Sequence, residues 1–440
     1  MLTPQNKFII VDDIDDHLNK LSKQFHDNGI GCRAFKYDAF YSEPLKDIKV
    51  AFFDININPS GGSSNPQIFN SLAAAIKQYI HVDNGPFALI FWTSNTSLID
   101  DFKKFIQIRH SNNIPKPFLI NCIDKDEFLT DTDSLLKSKL DKILNDEILQ
   151  LLFEFEGNLS RASIMAIQQI YKIIPNQDKW GENEIFAKNF ELIFSNIAVQ
   201  TLGFEHAKQN PGRAVYEALS QIMNHQILKA EISSKWPSFL KSLKNAVIRK
   251  DISIPEGFKE SELNAIFHID KTILDKESRG IVINIVKHSK RFEKEFSKSY
   301  EEWVKYVIPF KSGFKESEKA VRLEQISKLL KSSKFVAIEI SSACDYSQNK
   351  SRLHKYIYGI VVDKIDKKLI ESPRESSMEV GTFFLDKKEF QIWVNFNFIF
   401  TASPNDKKLG TSLFLLKKEI VDMIGNRYAN HGSRIGITSF

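Results

Sequence analysis

The residues best suited to chemistry stand where apolar runs end. Val11-Asp12-Asp13 closes the first run, Phe53-Asp54-Ile55-Asn56 the next acid-bearing one, Trp92-Thr93-Ser94 a third and Ile123-Asp124-Lys125 a fourth. Two adjacent carboxylates beside a third form an oxygen donor set for a hard divalent cation; Mg2+ suits such a set and keeps several waters that a phosphoryl oxygen can displace. A second, weaker constellation lies far downstream, where Cys344 is followed by polar residues and then His354. A thiol with a histidine nearby can act as a nucleophile. Without a third orienting partner, the better-supported reading is a small buried residue, with Asp345 and Gln348 hydrogen-bonding a turn.

Strand ends need a scaffold. Lys7–Val11, Lys49–Phe53, Phe87–Trp92 and Phe118–Ile123 are short continuous apolar runs, separated by stretches with apolar residues at helical spacing: His17–Asn28, Pro66–Tyr79 and Leu98–Ile108. Such alternation predicts a parallel sheet covered on both faces, an α/β doubly wound domain over residues 1–128. In sheets of this kind functional groups collect at the carboxyl ends of the strands.

From Leu129 onward the period changes. Leu135–Glu154, Ser160–Ile173, Glu184–Leu202, Arg213–Ile232 and Lys235–Ile248 predict a mainly α-helical region over residues 129–333, which ends in a helix at Ser317–Leu330. After Lys334, the runs Phe335–Ile340, Tyr356–Val362, Thr382–Leu385 and Phe390–Phe400 predict a β-rich, barrel-like module over residues 334–440, with Leu413–Ile424 as a closing helix.

The ordered set Asp12, Asp13, Asp54, Thr93 and Lys125 resembles the receiver domain of two-component response regulators, a flavodoxin-like fold, over residues 7–128. The resemblance implies that Asp54 is the phosphoacceptor, attacking a phosphohistidine to give an aspartyl phosphate. It further implies Mg2+ as cofactor, held by Asp12, Asp13, Asp54 and the backbone carbonyl of Asn56. Lys125 would neutralise charge on the transferring group and the Thr93 hydroxyl would donate to the phosphoryl. Receivers usually carry Lys-Pro here. Lys116-Pro117 offers that pair but precedes its apolar run, at the wrong end of the strand, so Lys125 is the better candidate although it lacks the proline. The loop with Pro59, Gly61 and Gly62 is also longer than usual.

A receiver followed by a long helical region and a β module is similar to regulator proteins of prokaryotic conflict systems, among them the two-component anti-phage system Detocs. That likeness implies a histidine kinase as phosphodonor, admits a separate effector protein and a homodimer, and asks of the chain no enzymatic activity beyond self-phosphotransfer or dephosphorylation. The competing expectation is an effector in which the receiver-like domain is only a scaffold, with hydrolytic or nucleic-acid activity in the C-terminal half around Cys344 and His354.

Composition narrows the field. An apolar share of 42% in 440 residues supports packed cores, and three cysteines at positions 32, 122 and 344 form neither a disulfide framework nor a metal cluster, as suits a reducing cytoplasm. Residues 1–128 hold 13 Lys+Arg against 15 Asp+Glu, so the net +5 of the chain is −2 there and +7 elsewhere. That spread excess argues against nucleic acid as the main partner. No run approaches the length of a membrane span and no signal peptide is evident, so a soluble protein with no membrane partner is expected. Lys287–Arg291 reads as a solvated basic patch and Tyr300–Tyr306 as a packing face. The polar end around Arg427, His431 and Arg434 reads as structural ion pairing.

Overall fold

Five short strands, β1 (Phe8–Asp12), β2 (Arg33–Lys36), β3 (Val50–Phe53), β4 (Ala88–Thr93) and β5 (Leu119–Asp124), pair in parallel in the order β2-β1-β3-β4-β5. The computed structural model describes residues 7–57, 64–109, 114–129, 133–175, 181, 183–285, 289–342, 353–372 and 374–433. The chain divides into two units, residues 1–165 with 226–247 and residues 166–225 with 248–440.

In the first unit β1, β3 and β4 are buried along their whole length, which is why they read as continuous apolar runs. One sheet face, with Ile9, Val11, Phe53 and Phe91, packs on α2 (Asn65–Tyr79) and α3 (Ile99–Arg109) through Leu72, Ile76 and Phe102. The other, with Phe8, Ile10, Phe52 and Trp92, packs on α1 (Asp15–Asp27) and α5 (Asp133–Leu144) through Leu21, Phe25, Leu136 and Leu140. The four-residue α4 (Asp126–Leu129) follows β5. Helices therefore cover both faces, as expected.

Strand β2 escaped the sequence reading. It lies at the sheet edge and its four residues, RAFK, are mostly exposed, so no apolar run marks it. Beyond α5, helix α6 (Glu147–Tyr171) is anchored to the amino ends of the sheet: Glu156 pairs with Lys7 at 2.9 Å and Lys49 at 2.8 Å, and Phe153 stacks on Phe8.

The helical middle continues with α7 (Asn183–Leu202), α8 (Phe204–Gln209), α9 (Pro211–Leu228), α10 (Lys235–Phe239), α11 (Lys241–Asn245) and α12 (Glu260–His268). The helix expected over Lys235–Ile248 is two short ones, broken at Leu240. Within the first unit the Ser233 N–H and Trp236 Nε1 both donate to Glu154 Oε1, each at 3.0 Å.

The second unit is built on a curled antiparallel sheet, order β10-β11-β9-β8-β7-β12-β6. Its strands are β6 (Ile269–Asp270), β7 (Ile281–Ile285), β8 (Lys334–Glu339), β9 (His354–Asp363), β10 (Ser377–Leu385), β11 (Lys388–Ala402) and β12 (Leu409–Leu416). Register shifts within β10, β11 and β12 mark bulges that bend it. Helices α13 (Ser289–Phe296), α14 (Tyr300–Val307) and α15 (Glu316–Ser332) precede β8, and α16 (Lys418–Gly432) follows β12. Both faces are covered. Phe335, Tyr358 and Trp393 meet Trp303 and Val307 of α14 and Leu330 of α15 on one, while Ile338, Ile357 and Val394 meet Val421 and Ile424 of α16 on the other.

Two expectations change here. Leu413–Ile424 is not one helix: Leu413–Leu416 belongs to β12, and the helix starts only after Lys417. The sheet also recruits β6 and β7 from ahead of residue 334, and β7 (IVINI) lies between β8 and β12, where both of its faces are covered.

Gly280 sits at φ 89°, pinned because its N–H donates to the Glu339 carbonyl and its carbonyl accepts from Leu416 N–H. A Cβ there would collide with the Leu416 carbonyl and lie 2.7 Å from Val421 Cγ2. Gly280→Ala is therefore expected to destabilise the second unit by about 3 kcal/mol, from the left-handed backbone and the forced shift of β12 together, as read by urea denaturation.

Candidate functional site

The sheet order reverses between β1 and β3, and the carboxyl ends of these strands flank the crevice where ligands of open α/β sheets bind. Asp12 is the last residue of β1 and Asp54 the first after β3, and both are buried. The Asp54 N–H donates to the Val11 carbonyl at 3.2 Å, which locks the two strand ends together. Lys125, buried as well, follows β5 directly, and its N–H donates to the Thr93 carbonyl at 3.2 Å.

These placements converge. Lys125 Nζ donates to Asp54 Oδ2 at 2.6 Å and stands 3.6 Å from Asp12 Oδ2. Asp54 Oδ1 accepts from the Asn56 N–H at 3.2 Å, and Asp12 Oδ1 from the Ile14 N–H at 2.9 Å. Asp12 Oδ2 is buried and accepts no hydrogen bond. Carboxylate oxygens of Asp12, Asp13 and Asp54 all lie within 4.8 Å of one another, so the three could hold a metal ion. Thr93 is fully buried at the end of β4; its Oγ1 accepts from Asn95 N–H at 3.1 Å and retains its own hydrogen to donate.

Three carboxylates against one ammonium leave two uncompensated negative charges, the charge that one divalent cation neutralises. Burial pushes the Asp12 carboxyl above the usual carboxylate range, outweighing the opposing pull of its hydrogen bond from Ile14 and of Lys125.

Sequence reasoning missed one neighbour. His17, in the first turn of α1, brings Nδ1 to 3.2 Å from Lys125 Nζ and 3.6 Å from Asp12 Oδ1. Its position five residues after Asp12, on the first helix past the strand, is the signal that could have found it. Ser94, beside Thr93, donates to Asp126 Oδ1, and the Asp126 N–H donates to Asp124 Oδ1 at 3.0 Å, so the turn that carries Lys125 is tied on both sides. Asp15 pairs with Lys36 on the surface instead of joining the cluster. Lys116 is exposed ahead of β5, away from the carboxyl ends.

Pro59, Gly61, Gly62, Cys344, Asp345, Gln348, Lys287, His288 and Arg434 lie outside the described residues. His354 is described: its Nδ1 stands 3.4 Å from Oε1 of the fully buried Glu339. Near the chain end His431 Nε2 meets Asn397 Oδ1 at 3.1 Å. No helix of the described residues is long and apolar enough to cross a membrane.

Because the Asp12 carboxyl is raised, its contribution to stability is present below the unfolded pKa of an aspartate and is lost as pH climbs through the folded one. Asp12→Asn should therefore raise the melting temperature at neutral pH in EDTA, with the gain vanishing toward acid pH. Added Mg2+ should raise the melting temperature of the wild type and leave that of the variant unmoved. No family model matches the chain, and no match was found among curated proteins or solved structures.

Proposed function

We propose that residues 1–128, within the first unit, are a receiver and that Asp54 accepts a phosphoryl group from the phosphohistidine of a histidine kinase. The observation that carries this reading is the buried Asp54–Lys125 contact at 2.6 Å, with Asp12 and Asp13 beside it at the reversal point of a parallel sheet. The strand order 2-1-3-4-5 with helices on both faces is that of the flavodoxin-like class, to which receivers belong.

Asp54 is the nucleophile. One of its carboxylate oxygens attacks phosphorus, the new P–O bond forms as the P–N bond to the donor imidazole breaks, and the electron pair leaves with the imidazole nitrogen. Lys125 keeps its ammonium at the acceptor carboxylate through the transfer and balances charge on the phosphoryl oxygens. The Asn56 N–H holds the other Asp54 oxygen, which fixes the plane of the carboxylate for attack. Thr93 offers a hydroxyl hydrogen at the neighbouring strand end, the group through which a bound phosphoryl would be sensed by the β4–α3 segment. Mg2+, held by Asp12, Asp13 and Asp54 with the Asn56 carbonyl, would supply the positive charge that the carboxylates lack.

The test is phosphorylation of the purified chain by a small acyl-phosphate donor, read by intact mass. A Mg2+-dependent adduct of one phosphoryl group is expected in the wild type and none in Asp54→Asn. Lys125→Ala should cut the rate by about 100-fold, the scale of losing one charge-stabilising group. An adduct that survives in Asp54→Asn would move the acceptor elsewhere.

A further inference from the structure

Lys125 reaches Asp54 on a flexible four-carbon stem, so its surroundings must fix where the ammonium waits. Asp54 Oδ2 takes one of its hydrogens at 2.6 Å, while Asp12 Oδ2, at 3.6 Å, is reached by charge alone. A third contact is His17 Nδ1 at 3.2 Å. An ammonium has only hydrogens to give, so Nδ1 is the acceptor here and the imidazole proton sits on Nε2. That tautomer leaves Nδ1 no hydrogen for Asp12 Oδ1, 3.6 Å away. His17 therefore acts on the lysine and is not a donor to the acid.

The imidazole is itself well placed. His17 is the third residue of α1, and its side chain is 13% exposed. The first turn of that helix is tied to the site: the Ile14 N–H, just ahead of α1, donates to Asp12 Oδ1 at 2.9 Å, and the Ile14 carbonyl accepts from the Leu18 N–H at 3.2 Å. Lys36 at the end of β2 pairs with Asp15 at 2.6 Å, and Leu18 and Leu21 are buried against the sheet. A side chain on so constrained a turn has little freedom to follow the lysine; the long lysine stem adapts to it.

We infer that His17 is a positioning residue of this site: it holds the Lys125 ammonium against Asp54 and so sets the rate of phosphoryl transfer to that carboxylate. This role rests on the reading of Asp54 as the phosphoacceptor. Loss of one charge-assisted hydrogen bond is worth about tenfold, and a displacement of about 1 Å in a reacting constellation up to about 100-fold.

The test compares His17→Leu, which fills the space without an acceptor, with His17→Asn, whose Oδ1 can stand near the place of Nδ1. Labelling of the full chain by an acyl phosphate with Mg2+, followed by intact mass, should slow about tenfold in His17→Leu, and His17→Asn should restore most of the rate. His17→Ala, which also lacks an acceptor, is the second variant and should match His17→Leu; cooperative melting verifies that each is folded. In the Lys125→Ala background His17→Leu should slow labelling no further, because the imidazole works through the lysine. A readout without transfer is urea denaturation in EDTA, where His17→Leu should shift the midpoint more with Lys125 present than in Lys125→Ala.

Equal slowing by Leu, Ala and Asn, the same loss with and without Lys125, or labelling indifferent to His17→Leu overturns the role. No adduct in the wild type removes the acceptor reading and the effect on transfer together. The urea midpoints then separate the two ideas: unequal shifts uphold the hold of His17 on Lys125, and equal shifts overturn that as well.

Discussion

The buried pair of Lys125 and Asp54 sets the terms for the first unit. An ammonium and a carboxylate taken out of water cost several kcal/mol each, and their attraction offsets that only when geometry is held tightly. Here the acid is fixed by the end of β3 and the lysine by the turn after β5, two strands away. The sheet must therefore keep three strand ends, β3, β4 and β5, in strict register. At backbone level the β3–β4 ladder and the Lys125 N–H to Thr93 bond do that work, while the Asp54 N–H to Val11 bond ties the end of β3 to β1. Apolar packing on both faces makes the sheet stiff enough to enforce it.

Asp12 adds a second constraint. Its Oδ2 is buried, accepts no hydrogen bond and lies 3.6 Å from the same ammonium, so one lysine serves two carboxylates. Such a set is electrostatically unsaturated. A cation that joins the three acids would reduce the demand on Lys125 and free it to follow a new anionic group. His17, within 3.2 Å of Lys125 Nζ, marks the direction from which the ammonium is also held.

Most of this was legible in the sequence because buried parallel strands advertise themselves. KFIIV, VAFF and FALIFW are uninterrupted, and the acids that follow them had to fall at the carboxyl ends. The choice of Lys125 over Lys116 also followed from strand direction alone. What was not legible depends on neighbours in space. β2 carries no apolar run because an edge strand need not be buried. His17 reads as one polar residue of an amphipathic helix until α1 is packed against β1. Leu413–Ile424 misled because an apolar strand followed directly by a helix with a buried face gives one long apolar stretch, in which only Lys417-Lys418 marks the change of period.

Strand β2 has one further consequence. A parallel sheet that ends in an exposed strand offers a row of free backbone groups to any passing chain, and proteins that expose such edges risk joining edge to edge into aggregates. Here the outer strand is only four residues long and begins and ends in a cation. Arg33 lies over the Phe35 ring at 4.5 Å and Lys36 is tied to Asp15. At the far side of the second sheet the terminal strand β6 has just two residues. These two margins are too short and, at β2, too charged to recruit another strand, which keeps β2 and β6 from acting as templates for polymerisation.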